Sequence, residues 1–231
     1  KFGKKFSSNI EIDVKEIPVV LPDQFKLLMQ NKNDPDARAI ISYCRSRGIN
    51  DKLMWRYRLG YSDEWKWRRR LIIPSFDCEG NLNYFVTRTI DDSNFKYVNA
   101  QANKRAIIFN DIDINWAEKT IFIVEGPFDW MKCCNLNALC ILGSSLTEDS
   151  KAFRKIVANS MDVILSLDPD ADIKQLKIAE LFSQYDINVR LASVKSGDVG
   201  DLQPQDVAML AKTAVEYNND MGSLPFLIQR M

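Results

Sequence analysis

From Thr120 onward the chain alternates short apolar runs with segments of helical period, and that alternation leaves few folds open. Thr120 to Val124 (TIFIV) reads as a buried strand ending at Glu125-Gly126, followed by a helix from Phe128 to Asn135. Ala138 to Leu142 is a second strand, closed by Gly143-Ser144-Ser145. Thr147 is the expected N-cap of the next helix, with Glu148, Asp149 and Ser150 in its first turn. Val163 to Leu167 is a third strand ending at Asp168-Pro169-Asp170, Ile173 to Gln184 is helical, and Val189 to Val194 is a fourth strand. Strict strand–helix alternation predicts an α/β unit with a mostly parallel sheet covered by helices on both faces.

The upstream part reads as an α+β lobe. Ala37 to Arg47 has helical period and stops at Gly48, and Asn50 caps a further helix. Leu71 to Phe76, the turn from Asp77 to Gly80, and Asn83 to Arg88 predict a β-hairpin; Pro74 places its strand at an edge or on a bulge. Trp55, Trp65 and Trp67 have the chemistry to stack on bases, with packing in the lobe as the simpler expectation. The expected boundaries are 1–117 for the basic lobe, 118–203 for the α/β domain and 204–231 for a C-terminal helical segment or linker.

A net charge of zero conceals an asymmetry. Residues 1–117 carry 20 Lys/Arg against 15 Asp/Glu, and the remainder carries 11 against 16. Such a split suits a polyanion held by one half and a cation-dependent reaction in the other. With no histidine, Ser-His-Asp and Cys-His nucleophiles and imidazole zinc sites are excluded. The five cysteines form no C-x-x-C pair, so no zinc ribbon is expected, and Cys133, Cys134 and Cys140 read as reduced core residues of a cytoplasmic protein. No apolar run approaches a membrane span. Lys1 stands where Met is usual, so a longer parent is expected.

The acids fall at strand ends. Glu125 follows the first strand, Asp168 and Asp170 the third, and Asp198 and Asp201 the fourth. In open α/β sheets ligands bind outside the carboxyl ends of the strands. Carboxylates crowded there repel one another unless cations neutralise them, and an oxygen-only donor set selects Mg²⁺ or Mn²⁺. A pair of such ions activates an attacking hydroxyl and stabilises a leaving phosphate. Each acid taken alone reads as a turn former or helix cap; the repetition favours a site.

These motifs carry a resemblance. The stretch Ile123 to Asp129 (IVEGPFD) resembles the TOPRIM signature, Leu142 to Thr147 (LGSSLT) its second turn in bacterial-type primases, Leu167 to Asp170 its D-x-D motif, and Gly197 to Asp201 (GDVGD) its final acidic loop. Upstream, Tyr43 to Ile49 (YCRSRGI), Leu59-Gly60-Tyr61, Arg70 to Pro74, Gly80, Arg88 and Lys96 to Asn99 (KYVN) follow the order of the primase polymerase domain. From about Ala37 to Asp201 the chain resembles the catalytic core of bacterial- and phage-type DNA primases.

That resemblance implies a DNA-directed RNA polymerase making short primers on single-stranded DNA from ribonucleoside triphosphates, alongside a replicative helicase, in the bacterial cytoplasm. It implies catalytic metal ligands at Glu125, Asp168 and Asp170, with Asp129, Asp198 and Asp201 as supporting acids. Arg47, Arg70, Arg88, Lys96 and Asn99, with Lys104 a looser match, would hold template or nucleotide, while Arg68 and Arg69 read as surface charge. Three departures stand out: Ala171-Asp172 replaces a small Ala-Gly pair, the last acids are spaced D-V-G-D, and the zinc ribbon of primases is missing from these residues, which puts it upstream, on a separate chain or lost. A TOPRIM nuclease and a non-catalytic module binding DNA or a helicase remain as alternatives, with a topoisomerase behind them for want of a tyrosine-bearing domain.

Overall fold

A computed structural model describes residues 18–143, 145–194 and 197–218. Residues 1–17 of the basic lobe, Ser144 in the turn after the second strand, and 219–231 of the C-terminal segment lie outside the described residues. The chain divides into two compact units. Of the described residues, one gathers 18–102 together with 109–112; the other gathers 103–108 and those from 113 to 218.

The first unit carries a four-stranded antiparallel sheet in the order β1 (Phe25–Leu27), β2 (Gly60–Ser62), β3 (Arg70–Phe76), β4 (Leu82–Thr89). Helices α1 (Pro35–Ser46) and α2 (Asp51–Arg56) lie between β1 and β2 in sequence. Asp34 caps α1 by accepting the N–H groups of Asp36 and Ala37, Pro35 fills its first turn, and Gly48 turns left-handed after it (φ 72°). Asn50 caps α2 as expected, its side chain accepting the Leu53 N–H at 3.0 Å.

The expected hairpin is β3–β4. Pro74, however, is not on an edge strand: β3 lies between β2 and β4. It is tolerated because β2 meets β3 only at Gly60↔Ile72, so beside Pro74 the strand has a partner on one side alone, and a register shift follows at Ser75/Phe76.

The second unit is a five-stranded sheet in the order β6-β5-β7-β8-β9, comprising β5 (Thr120–Val124), β6 (Ala138–Cys140), β7 (Asp162–Ser166), β8 (Val189–Leu191) and β9 (Val215–Glu216). The first four are parallel to their neighbours and β9 closes the edge antiparallel to β8. Helices α3 (Pro127–Lys132), α4 (Lys151–Ala158), α5 (Asp172–Ser183) and α6 (Pro204–Lys212) connect them. β5 and β7 occupy the middle, and their apolar runs are buried from Ile121 to Val124 and from Val163 to Leu165. Phe153 of α4 stacks on Phe182 of α5 at 4.8 Å between ring centroids, locking those two helices onto a common core.

Local expectations shift in informative ways. α3 ends at Lys132, with Cys133 as its C-cap, rather than at Asn135. β6 stops at Cys140 because Leu142 and Gly143 both turn left-handed (φ 55° and 70°). The N-cap of α4 is Ser150, not Thr147: the Ser150 N–H and hydroxyl both donate to the Thr147 carbonyl, at 2.9 and 2.6 Å, so 147–150 closes as a turn before the helix starts. β9 was not foreseen. Cys133 and Cys140 are buried free thiols, as expected of core residues, whereas Cys134 is only partly buried; Cys44 is buried as well. Burial pushes the Cys44 thiol up to about 12, so it stays protonated. No described helix is long and apolar enough to cross a membrane.

Candidate metal centre

The strand order reverses direction between β5 and β7: the chain leaves β5 for β6 on one side and returns to β7 on the other. A crevice opens at such a switch point, outside the carboxyl ends of the strands. Val124 pairs with Ser166, so Glu125 leaves β5 beside the turn that carries Asp168 and Asp170 from β7.

Four hydrogen bonds from backbone N–H groups hold the acidic loops. The Leu167 N–H donates to Oε1 of the buried Gln175 on α5 at 2.7 Å, and the Ala171 N–H to the Asp168 carbonyl at 2.9 Å, fixing the Asp168-Pro169-Asp170 turn. Asp129, the third residue of α3, accepts the Gly126 N–H on Oδ2 (2.8 Å) and the Gly200 N–H on Oδ1 (2.9 Å). A single carboxylate thereby ties the Glu125-Gly126 turn to the 198–201 loop. A Cβ on Gly197 (φ 75°) would stand 2.7 Å from Asp201 Oδ2, so that turn needs glycine, while one on Gly126 would stand 3.0 Å from Asp129 Oδ2 and press that carboxylate by a few tenths of an ångström.

Glu125 Oε1 receives the Lys174 ammonium at 2.7 Å, while its Oε2 is buried without a hydrogen-bond partner, as is Asp198 Oδ1. Asp168 is pushed up to about 6, first by burial and then by Glu125, Asp198 and Asp170, with Lys174 acting the other way. Asp129 is pushed up to about 7 by burial, against the pull of its Gly126 N–H bond, and further by Asp168 and Asp198. Glu125, Asp168, Asp170, Asp198 and Asp129 therefore share one electrostatic neighbourhood. Asp201 is exposed, and its carboxylate turns back toward the Asp198 N–H at 3.4 Å.

Among the described residues no three carboxylates are set closely enough to hold an ion as they stand. Lys174 occupies one oxygen of Glu125, and both oxygens of Asp129 are committed to backbone N–H groups. The donor chemistry nonetheless suits a hard divalent cation. All donors are oxygens, two of them buried and unbonded, and such an ion relieves both the burial and the neighbouring carboxylates that raise Asp168.

Comparison with known proteins bears on what surrounds this cluster. No protein-family model matches the chain. A curated DNA primase of Clostridium acetobutylicum is 27% identical, over 67% of this chain and 33% of its own length. Among solved structures, the Aquifex aeolicus primase (zinc-binding and RNA polymerase domains) superposes with a TM-score of 0.70 at 18% identity, covering 86% of this chain and 61% of that one. The RNA polymerase domain of Mycobacterium tuberculosis primase gives 0.66 at 17% identity, over 81% and 79%. A DnaG primase catalytic domain bound to single-stranded DNA gives 0.65 at 16%, over 81% and 77%. The fold is that of a bacterial-type DNA primase catalytic core. This chain spans about a third of its curated relative.

Within the primase-core fold, the expected basic residues divide between the two units. In the first, Arg70 donates to the Phe95 carbonyl at 2.9 Å and Asn99 accepts the Thr87 N–H at 3.2 Å, so both brace the 95–99 segment against the β3–β4 hairpin. Arg88 lies over the Tyr97 ring at 4.7 Å and Lys96 is exposed on the same segment; Arg47, just after α1, is half-buried. Arg68 is paired with Asp36, and Arg69 with Asp36 and Asp91, which fits their reading as surface charge. Trp67 packs edge-on against Phe85, as expected, whereas Trp65 is 90% exposed and Trp55 about half exposed, so packing does not account for these two.

Lys104 belongs to the second unit and donates to the Leu142 carbonyl at 3.1 Å. Lys174 and Gln175 were missed from the sequence. Their one signal was position, in the first turns of the helix that follows Asp168-Pro169-Asp170.

Proposed function

We propose that this chain is the catalytic core of a DNA primase, joining ribonucleotides into short primers on a single-stranded DNA template by metal-dependent nucleotidyl transfer. The observation that carries this reading is the group formed by Glu125, Asp168, Asp170 and Asp198 at the β5/β7 switch point of a primase-core fold. Ribonucleoside triphosphates, a replicative helicase and a zinc ribbon, upstream in a longer parent or on a separate chain, complete the proposal. The template contact is supported by the relative whose structure holds single-stranded DNA.

Glu125, Asp168 and Asp170 would hold Mg²⁺ or Mn²⁺, with Asp198 completing a second position. When bound, such a cation supplies Lewis acidity to a 3′-hydroxyl and to the departing pyrophosphate. Asp129 keeps the two acidic loops in register, and Gln175 keeps the Asp168 turn against α5. Lys96 on its exposed segment and Arg88 beside Tyr97 offer the cationic and aromatic groups that a nucleic acid strand engages.

The Lys174–Glu125 ion pair favours a second reading, a primase-like module without catalysis, because it neutralises a metal ligand. Primer synthesis separates the two. The 231-residue chain, given labelled ribonucleotides, single-stranded DNA and Mg²⁺ or Mn²⁺, should yield short RNA products. Asp168→Ala and Glu125→Ala should each lower the yield by about a hundredfold or more while template affinity is kept. Template degradation without extension would instead identify a TOPRIM nuclease.

A further inference from the structure

Lys174 stands where a cation is expected. It projects from the first turn of α5, and its Nζ lies 2.7 Å from Glu125 Oε1 and 3.2 Å from the Gly143 carbonyl oxygen. Both members of the pair keep only about a fifth of their side-chain surface exposed (20% and 19%), so water screens it less than a surface pair. The ammonium is thus wedged between the end of β5 and the turn after β6, with Asp168 and Asp170 on the turn just before its own helix.

A monovalent ammonium cannot replace a divalent ion there. It carries one charge, donates hydrogen bonds instead of accepting metal bonds, and engages only one Glu125 oxygen, leaving Oε2 buried and unpartnered. For an ion to use Glu125 in full, Lys174 must withdraw. Room for it lies alongside: Lys174 itself, Glu125, Asp170, Ser145, Thr147 and Gln184 are among the residues that line a groove of about 720 Å³. Hydroxyl and amide oxygens there can accept an ammonium that has left its carboxylate.

We propose that Lys174 is a built-in counter-ion that competes with the divalent cation for Glu125, holding the acidic loops together when the site is empty and setting the metal concentration at which it fills. The inference rests on the metal-site reading given under Proposed function. It makes Lys174 a positioning residue whose removal tightens metal binding, the opposite of what loss of a structural brace would do.

Calorimetric titration of the 231-residue chain with Mn²⁺, in the absence of nucleotide and DNA, tests it. Lys174→Met is expected to bind Mn²⁺ roughly tenfold more tightly than the wild-type chain. Lys174→Arg, which keeps the charge, should stay near wild type, and adding Glu125→Gln to Lys174→Met should abolish the gain. Circular dichroism and thermal melting establish that each variant is folded. Equal affinity in wild type and Lys174→Met overturns the inference while leaving the metal site standing, as does weaker binding by a folded Lys174→Met. Absence of Mn²⁺ binding by both overturns the metal-site reading and this inference with it.

Discussion

Asp129 shows how one residue serves position and charge together. It was expected as a supporting acid, yet both of its oxygens accept backbone N–H bonds, one from each acidic loop. Replacing it with Ala leaves the buried Gly200 N–H without its acceptor, which costs about 1–3 kcal/mol. Asp129→Ala should therefore lower the urea midpoint without changing the m-value, and should weaken Mn²⁺ binding by loosening the Asp198 loop. Wild-type stability in that variant would remove the brace from the account. Lys174 makes the complementary point. Its residue type and chain position were on view in the sequence, but nothing local shows that its ammonium reaches a carboxylate 49 residues away in the chain.

Elements were legible where local chemistry and long-range packing agree. β5 is a β-branched and aromatic run and β7 carries the apolar run Val163 to Leu165; both become the middle of the sheet, and α5 lies within one residue of its expected span at either end. β9 was not legible because two residues carry no period; it exists only through Arg190↔Glu216 and Leu191↔Val215, which join it to β8. The start of α4 moved from Thr147 to Ser150 because two adequate capping residues lay three apart and the intervening turn decided between them. The α5–β7 junction gives a test at this scale. Gln175→Ala deprives the buried Leu167 N–H of its acceptor and should cost about 1–3 kcal/mol in thermal or urea unfolding. Gln175→Glu keeps an acceptor oxygen and should recover part of that loss.

For the whole molecule the acidic cluster sets a pH dependence. Asp129 and Asp168 are raised from 3.8 to about 7 and about 6, so between about pH 4 and 7 the folded chain binds more protons than the unfolded chain. The stability they contribute is fully present below pH 4 and is lost as pH rises toward 7. Exposed Asp51 and Asp91, which Arg45 and Arg69 hold below their ordinary value, act in the opposite sense and only below about pH 4. Without divalent ions the melting temperature should fall from pH 5 to pH 8, by roughly 5 °C. Millimolar Mn²⁺ should restore it at pH 8 and do little at pH 5. A melting temperature that rises over that window without metal would contradict the placement of these acids.

The central claim is that the Glu125, Asp168, Asp170 and Asp198 group makes RNA. Its most direct measurement is gel-resolved primer synthesis on single-stranded DNA with labelled ribonucleotides and Mg²⁺ or Mn²⁺, comparing wild type with Asp168→Ala. Short RNA products from wild type, absent from a folded Asp168→Ala that still binds the template, are the expected result. Equal product from both, or no product from a wild type that binds template and metal, would contradict it.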